Sequence, residues 1–352
     1  MSGRKKLRVI VCGTTFGRMY LRAIEQLNSK FKLVGILARG SSHSVECAKK
    51  YNVPLYTDIE EISKENADLA CVVVRSAVVG GAGTDIAKRL LKKGIHILIE
   101  QPVHLSDMTD CLRIAKKSSS FYRINSFYPE LESVKTFIDM TKQILKESKP
   151  LFVDAYCSIQ VLFPMVDILG QILGGFRPWK FQKNSKQDNG PFTMLTGEIK
   201  DVPISLRVQN QMNPEDPDSN FLLLHRVILV TDRGTLIMTD SNGMVIWHPQ
   251  MSVLRRANNV EGNVSEDFND YPIIQIITAD NSSSFSEVFS KKWPDAIVRA
   301  LEKFGEVIET GEESRQFIQH QLTMCQIWKE IGSELGTVEL SNNEYMPLFV
   351  KF

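Results

Sequence analysis

The amino-terminal part of the chain alternates short apolar runs with amphipathic segments. The runs are rich in β-branched residues, as strands buried on both faces require. They occupy residues 7–12, 33–38, 69–74, 95–99 and 121–124. Helical spacing of apolar residues predicts helices or helical turns over 18–24, 45–51, 58–64, 84–93 and 106–117, the fourth ending at Gly94. Repeated strand–helix units of this length predict a parallel, doubly wound α/β sheet.

After residue 125 the pattern changes to longer strands in which apolar and polar residues alternate. Such strands are predicted over 151–160, 192–198, 203–210, 227–231 and 235–238, the last two joined by the turn Asp232, Arg233 and Gly234. Helices are predicted over 164–173, 295–308 and 314–331. This part is therefore expected to be an α+β domain with an open, mostly antiparallel sheet.

The length of 352 residues favours two domains, because a single core rarely grows to that size. We expect a dinucleotide-binding domain over 1–125 and an α+β substrate-binding and dimerisation domain over 126–352. The second domain has too few helices to cover both faces of its sheet. An uncovered apolar face is usually buried by a partner, so we expect a homodimer through this sheet.

Composition excludes several classes of partner and compartment. The 42 Lys and Arg residues against 41 Asp and Glu give a net charge of +1, which offers no electrostatic case for nucleic acid or a membrane surface. No apolar run is long enough to span a bilayer, and the basic start lacks a cleavage-site pattern. The cysteines form no CxxC pair and lie mostly in apolar runs, which is typical of reduced thiols in a cytoplasmic protein. They are Cys12, Cys47, Cys71, Cys111, Cys157 and Cys325.

A glycine turn follows the first strand. It consists of Gly13, Thr14, Thr15, Phe16 and Gly17. Two glycines between a buried strand and a helix let backbone N–H groups approach a pyrophosphate at the helix amino terminus. The usual fingerprint has three glycines, so an ordinary tight strand–helix turn is the alternative interpretation.

The end of the second strand carries no acid that could bind the 2′-hydroxyl of NAD. Instead it continues as Arg39, Gly40, Ser41 and Ser42. An arginine at this point can pair with the 2′-phosphate of NADP. The pattern predicts NADPH as the cofactor, with a solvated loop arginine as the alternative. Arg75 and Ser76 follow the third long strand, at the edge where ligands bind in such sheets.

A dinucleotide domain joined to an open-sheet domain, with residues 94–102 ending in Glu100, Gln101 and Pro102, resembles the glucose–fructose oxidoreductase and inositol dehydrogenase superfamily. Within it, four segments taken together resemble the thiazolinyl imine reductases of siderophore assembly lines. These segments are residues 13–17, 72–84, 100–104 and 125–129.

The resemblance implies NADPH-dependent reduction of a thiazoline C=N bond to a thiazolidine. The substrate would be a thioester on a carrier domain of a nonribosomal peptide synthetase. Relatives that oxidise sugars use a lysine as acid and base where this chain has Gln101, and an amide cannot donate a proton at neutral pH. Tyr128, His104 or a bound water must then protonate the nitrogen. Tyr128 matches the family better, whereas an imidazole has an ordinary pKa nearer neutrality.

Other interpretations stay open at this point. His104 could cap the following helix, Tyr128 could be packed beside Pro129, and Glu100 could contact the nicotinamide side or cap a turn. The remaining histidines are too dispersed to predict a metal site. An ordinary carbohydrate dehydrogenase is disfavoured because position 101 is not lysine. A regulator that binds the cofactor without catalysis is the alternative that Gln101 keeps open.

Overall fold

The computed structural model describes residues 6–76, 81–184, 190–217, 221–251, 272–278, 283–341 and 348–349. The chain forms two compact units. The first comprises Met1–Glu132, Val166–Gly170 and Ser283–Gly332, and the second comprises Ser133–Met165, Gln171–Ser282 and Ser333–Phe352. This partition differs from the predicted division at residue 125, because Ser283–Gly332 belongs to the first unit. The domain boundary at residue 125 stays a prediction.

The first unit is built on a six-stranded parallel sheet with the strand order β3-β2-β1-β4-β5-β6. Its strands are β1 (Leu7–Cys12), β2 (Phe31–Leu37), β3 (Leu55–Tyr56), β4 (Leu69–Val72), β5 (His96–Glu100) and β6 (Tyr122–Asn125). The order reverses beside β1, which lies between β2 and β4. This confirms the predicted doubly wound sheet and places a ligand crevice at the carboxyl ends of the strands.

The helices in chain order are α1 (Gly17–Gln26), α2 (Ser42–Tyr51), α3 (Gly83–Lys92), α4 (Leu105–Lys117), α5 (Glu132–Ile144), α6 (Leu162–Ile172), α7 (Trp293–Thr310) and α8 (Arg315–Leu335). Short 3-10 turns cover Ile59–Glu61, Tyr128–Glu130 and Ile159–Val161. A helical turn at Phe285–Glu287 and a π-helical turn at Val288–Lys292 lead into α7. The amphipathic pattern explains α1, which buries Met19, Tyr20, Leu21, Ala23 and Ile24. Gly94 ends the α3 segment at φ 78°, as predicted.

The second unit contains an eight-stranded sheet with the order β15-β14-β13-β12-β7-β10-β9-β8. Only the β7 and β10 pair is parallel among these neighbours, so the sheet is mostly antiparallel, as predicted. Its strands are β7 (Pro150–Ser158), β8 (Trp179–Lys183), β9 (Phe192–Ile199), β10 (Val202–Gln209), β12 (His225–Thr231), β13 (Gly234–Met238), β14 (Val245–Pro249) and β15 (Gln275–Ile276). A separate two-stranded sheet pairs β11 (Gln211–Met212) with β16 (Glu339–Leu340).

The two faces of strand β7 differ in burial. Val153, Ala155 and Cys157 are fully buried, whereas Phe152 on the other face is 36% exposed. On that outer face, the Arg207 guanidinium of β10 lies 4.6 Å from the centroid of the Tyr156 ring. The sheet is therefore apolar on one face and mixed on the other.

Further features bear on compartment and metal binding. All six cysteines are buried free thiols. No helix among the described residues has the length and apolar content needed to cross a membrane. The same residues contain no cluster of three or more side chains that could hold a metal ion.

Candidate functional site

The glycine turn after β1 has the geometry of a phosphate cradle. Gly13 has φ 90° and donates its N–H to the Leu37 carbonyl at 2.9 Å. A Cβ there would lie 2.5 Å from the Val73 carbonyl oxygen, so no other residue fits without movement. At Gly17 a Cβ would lie 3.2 Å from Val11. No side chain caps the amino terminus of α1, which leaves its first N–H groups open to an anion.

The residues between these glycines differ in exposure. Thr14 is 7% exposed, and its carbonyl oxygen lies 3.3 Å from the His43 Nε2 atom. Thr15 is exposed and Phe16 is half-buried. The His43 contact joins the glycine turn to the start of α2, a link that sequence reasoning missed because 29 residues separate the partners.

The loop after β2 presents the predicted NADP-binding group to solvent. Arg39, Gly40, Ser41 and Ser42 are exposed. The Ser41 hydroxyl accepts a hydrogen bond from the Ser44 N–H at 3.3 Å and caps α2, whose first residue is Ser42. Within the described residues the Arg39 guanidinium has no hydrogen-bond or ion-pair partner, so it is available to a phosphate.

The loop after β4 is held tightly by glycines. The Arg75 carbonyl accepts a hydrogen bond from the Gly83 N–H at 3.0 Å. A Cβ on Gly81 would lie 2.0 Å from that same oxygen. The Ser76 hydroxyl lies 3.5 Å from the Val74 carbonyl oxygen. Gly80, part of the motif 72–84, lies outside the described residues. Arg75 is exposed at the carboxyl edge of the sheet.

Glu100 ends β5 inside a hydrogen-bond network with two other strand and helix residues. The Tyr20 hydroxyl, from α1, donates to Glu100 Oε2. Asn125 Nδ2, at the end of β6, donates to the Tyr20 hydroxyl at 2.6 Å and lies 3.5 Å from Glu100 Oε2. Burial raises the pKa of Glu100 to about 8, although the Tyr20 and Asn125 hydrogen bonds act in the opposite direction. Glu100 thus contacts α1 and β6, and a hydrogen bond from the Gln101 backbone also lowers its pKa, so a local turn contact accompanies the network.

Gln101 and His104 occupy the loop between β5 and α4. The Gln101 N–H donates to the Asn125 carbonyl at 3.3 Å, and its buried side-chain Oε1 has no hydrogen-bond partner among the described residues. His104 sits at the amino-terminal cap position of α4 but its side chain makes no capping hydrogen bond. Its exposed ring lies 5.3 Å from the Trp328 ring of α8. His104 is therefore the N-cap residue of α4, but its side chain does not cap the helix.

Tyr128 belongs to an aromatic cluster beside the glycine turn. Its ring is 7% exposed and packs edge-on against Phe127 at 5.0 Å and Trp293 at 6.4 Å between centroids. Phe16 packs against Phe127 at 5.4 Å and Trp293 at 5.9 Å. Phe289, in the π-helical turn, packs on Trp293 at 4.8 Å. The cluster joins the glycine turn, the end of β6 and the start of α7.

Phe127 in this cluster has a strained backbone. Its φ is 61°, which is rare for a residue with a side chain. Its N–H donates to Asn125 Oδ1 at 3.1 Å, so the Glu100 network also holds this turn. The buried Trp293 Nε1 lacks a hydrogen-bond partner within the described residues. A buried polar atom without a partner calls for an explanation such as a bound water, an ion or a functional role. Asn125 and Phe127 lie in the segment 125–129 that carries the family resemblance, but no role was predicted for them. Trp293 and Phe289 belong to no motif, and sequence reasoning missed them.

A histidine dismissed at the sequence level is paired in the structure. His320 Nε2 of α8 lies 2.8 Å from Asp167 Oδ1, and Asp167 is 7% exposed. The neighbouring Gln321 donates to the Ile124 carbonyl at 2.7 Å, which fixes this part of α8 against β6. The His320–Asp167 contact joins α8 to α6.

Solved structures with this fold include several oxidoreductases. A putative NADPH-dependent oxidoreductase from Desulfitobacterium hafniense is 14% identical, with 95% of each chain covered and a TM-score of 0.67. An oxidoreductase from Agrobacterium radiobacter in complex with NAD+, L-tartaric acid and magnesium is 9% identical, covering 92% of this chain and 95% of that one, with a TM-score of 0.65. A biliverdin reductase from Synechocystis, bound to biliverdin and NADP+, is 10% identical, covering 94% and 98%, with a TM-score of 0.63. At these identities the likeness establishes the fold.

Two family models match separate parts of the chain. Residues 7–126 match the oxidoreductase family with an NAD-binding Rossmann fold. Residues 148–248 match the C-terminal region of Irp3-like thiazolinyl imine reductases. No curated protein matches the sequence.

Proposed function

We propose that this NAD(P)-dependent oxidoreductase, whose residues 7–126 match the oxidoreductase family with an NAD-binding Rossmann fold, reduces a thiazoline C=N bond to a thiazolidine during nonribosomal siderophore biosynthesis. The observation that carries the proposal is the match of residues 148–248 to the Irp3-like C-terminal region. The substrate is a thioester on a carrier domain of the peptide synthetase, the protein acts as a homodimer, and it works in the cytoplasm.

The residues present fit a nicotinamide cofactor. Gly13 and Gly17 let the turn pack closely against Val73 and Val11, and the uncapped start of α1 offers its N–H groups to a pyrophosphate. Thr14, Thr15 and Phe16 form the rest of that turn. Arg39, with Gly40, Ser41 and Ser42, binds the 2′-phosphate, which makes NADPH the preferred cofactor. Arg75, Ser76 and Glu100 lie at the carboxyl edge of the sheet and would hold the nicotinamide end of the cofactor. When bound, the reduced cofactor supplies the hydride.

The protein residues must align the substrate and deliver one proton to the nitrogen. The half-buried Phe16 and Trp293 rings, packed on the buried Phe127 ring, offer an apolar surface against which a planar thiazoline ring can pack. Tyr128 lies in the same cluster and is our first choice as proton donor, with His104 as the second. Gln101 orients the substrate or a water through its unpartnered Oε1. Alignment of the two reactants supplies the rest of the acceleration.

An absorbance assay of NADPH consumption tests the proposal. The substrate is a synthetic thiazoline thioester offered free and on a purified carrier domain. The expected result is NADPH oxidation together with a product that has gained two hydrogen atoms by mass spectrometry, faster with the carrier-bound form. Oxidation of sugars with NADP+ in place of this reaction would favour a carbohydrate dehydrogenase. Cofactor binding without turnover of either substrate class would favour a regulator.

A further inference from the structure

The turn that carries Tyr128 has a strained backbone. The Tyr128 N–H donates to the Ser126 carbonyl at 2.7 Å, and Phe127 between them has φ 61° and ψ -63°. This hydrogen bond and these angles define a γ-turn of the positive-φ type, which is rare and strained for a residue with a side chain. Such strain persists only where the surrounding structure holds the turn in place.

The Asn125 side chain holds the turn from the side of β6. Its Oδ1 accepts the Phe127 N–H at 3.1 Å, and its Nδ2 donates to the Tyr20 hydroxyl at 2.6 Å. A backbone N–H can only donate, so the amide orientation follows from the first contact. Asn125 is 4% exposed, and Tyr20 is anchored in turn by its hydrogen bond to Glu100. The amide is therefore a fixed acceptor inside the turn.

Helix α7 holds the other end of the same segment. The Glu130 N–H donates to the Phe127 carbonyl at 3.0 Å, and the Glu130 carbonyl accepts hydrogen bonds from Arg299 Nε at 2.8 Å and Nη2 at 2.6 Å. Lys303 forms an ion pair with the Glu130 carboxylate at 2.6 Å. Tyr128 thus lies between two anchors, and a shift of its backbone requires one of them to break.

We propose that this turn positions Tyr128 for proton transfer and that Asn125 is the positioning residue, acting through the Phe127 N–H. The inference rests on the proposed function, because it takes Tyr128 as the proton donor. A general acid must lie within hydrogen-bond reach of the atom that it protonates, and a misplacement of about 1 Å costs on the order of a hundredfold in rate. Without the Asn125 acceptor, Phe127 can relax to a negative φ and carry the Tyr128 hydroxyl away from the nitrogen.

A comparison of glycine and alanine at position 127 tests the strain without cofactor or substrate. Both Phe127→Gly and Phe127→Ala remove the buried ring, but glycine adopts a positive φ without strain. Phe127→Gly should therefore unfold at the higher urea concentration. Leu131 is the matched control, because it is also 2% exposed and has φ -67°. At that position the alanine variant should be more stable than the glycine variant, and the same order at both positions would overturn the proposal.

Single-turnover reduction of a thiazoline thioester by NADPH tests the positioning role. Asn125→Ala should lower the rate about tenfold to a hundredfold and leave the NADPH dissociation constant unchanged. Asn125→Ser should recover part of this loss, because a serine hydroxyl can accept the same backbone N–H. In a Tyr128→Phe background, Asn125→Ala should cost less than about threefold, since a donor that is already absent cannot be misplaced.

The outcomes separate this inference from the proposed function. Losses from Asn125→Ala and Tyr128→Phe that multiply in the double variant, or a lower NADPH affinity that accounts for the Asn125→Ala loss, would show a merely structural role and overturn the inference alone. A parent protein without turnover, or a Tyr128→Phe variant at the parent rate, would overturn the donor assignment and the inference with it. If the Phe127 variants do not fold, the kinetic comparison decides.

Discussion

Replacement of Arg39 by Ala tests the cofactor preference directly. The guanidinium is exposed and, within the described residues, makes no other hydrogen bond, so its loss should not unfold the protein. A charge-assisted hydrogen bond to a phosphate contributes about 1.5–3 kcal/mol, and solvent screening at this exposed position favours the lower end. We therefore expect NADPH affinity to fall about tenfold to a hundredfold. NADH affinity should stay nearly constant because NADH has no 2′-phosphate.

The measurement is fluorescence titration of both cofactors with the parent protein and two variants. Lys32→Ala is the matched control, since Lys32 is an exposed cation at the opposite end of the same strand, β2. It removes one positive charge without touching the proposed phosphate site, and should leave both affinities unchanged. Equal losses of NADPH and NADH affinity in Arg39→Ala, or an equal effect of Lys32→Ala, would refute the assignment.

Three further outcomes are expected. Tyr128→Phe should lower turnover by about 10²–10⁴-fold and leave NADPH affinity unchanged, because it removes only the proton donor. His104→Asn is the comparison variant. If Tyr128→Phe, His104→Asn and the double variant each lose less than about threefold in single turnover, neither side chain is the acid. Light scattering should give twice the chain mass at micromolar concentration, and a monomer mass would contradict the homodimer. Burial lowers the pKa of His225 to about 4, so stability is retained above the unfolded-state pKa of about 6.5 and should fall by up to about 3 kcal/mol as pH drops towards 4. His225→Gln should flatten that dependence in urea unfolding, and an equal slope in both proteins would refute it.

Sequence reasoning succeeded where local pattern determines structure. The buried strands of the first unit need continuous apolar residues, and the glycine after α3 needs a left-handed conformation, so both are visible in the sequence. The hairpin between β12 and β13 was predictable for the same reason, because alternation fixes its faces and Gly234 adopts φ 154° in its turn. Helix α5 was missed, since a run of charged and apolar residues after a proline turn resembles a loop until its packing is known.

Long-range contacts explain why the candidate site was only partly predictable. Tyr20 and Asn125 are 105 residues apart, and Tyr20 reads as a core residue of an amphipathic helix. Phe127 and Trp293 are ordinary apolar residues in sequence, and only their meeting beside Phe16 reveals an aromatic cluster. Gly13 and Gly17 were identified because they follow a strand of a recognisable pattern. Glu100, Asn125 and Phe127 lie in segments that carry the family resemblance, 100–104 and 125–129. Tyr20 and Trp293 carry no such signal.

Gln101 gains a different significance once the Glu100 network is considered. In the sequence, Gln101 places an amide where sugar-oxidising relatives have a lysine acid and base. This absence of an acid favours a regulator that binds the cofactor without catalysis. In the structure the neighbouring Glu100 carboxyl accepts hydrogen bonds from Tyr20 and Asn125, so it does not replace the missing acid. The proton must then come from Tyr128, His104 or a bound water. Turnover of NADPH with a thiazoline thioester therefore distinguishes a reductase from a regulator, and Gln101 by itself does not.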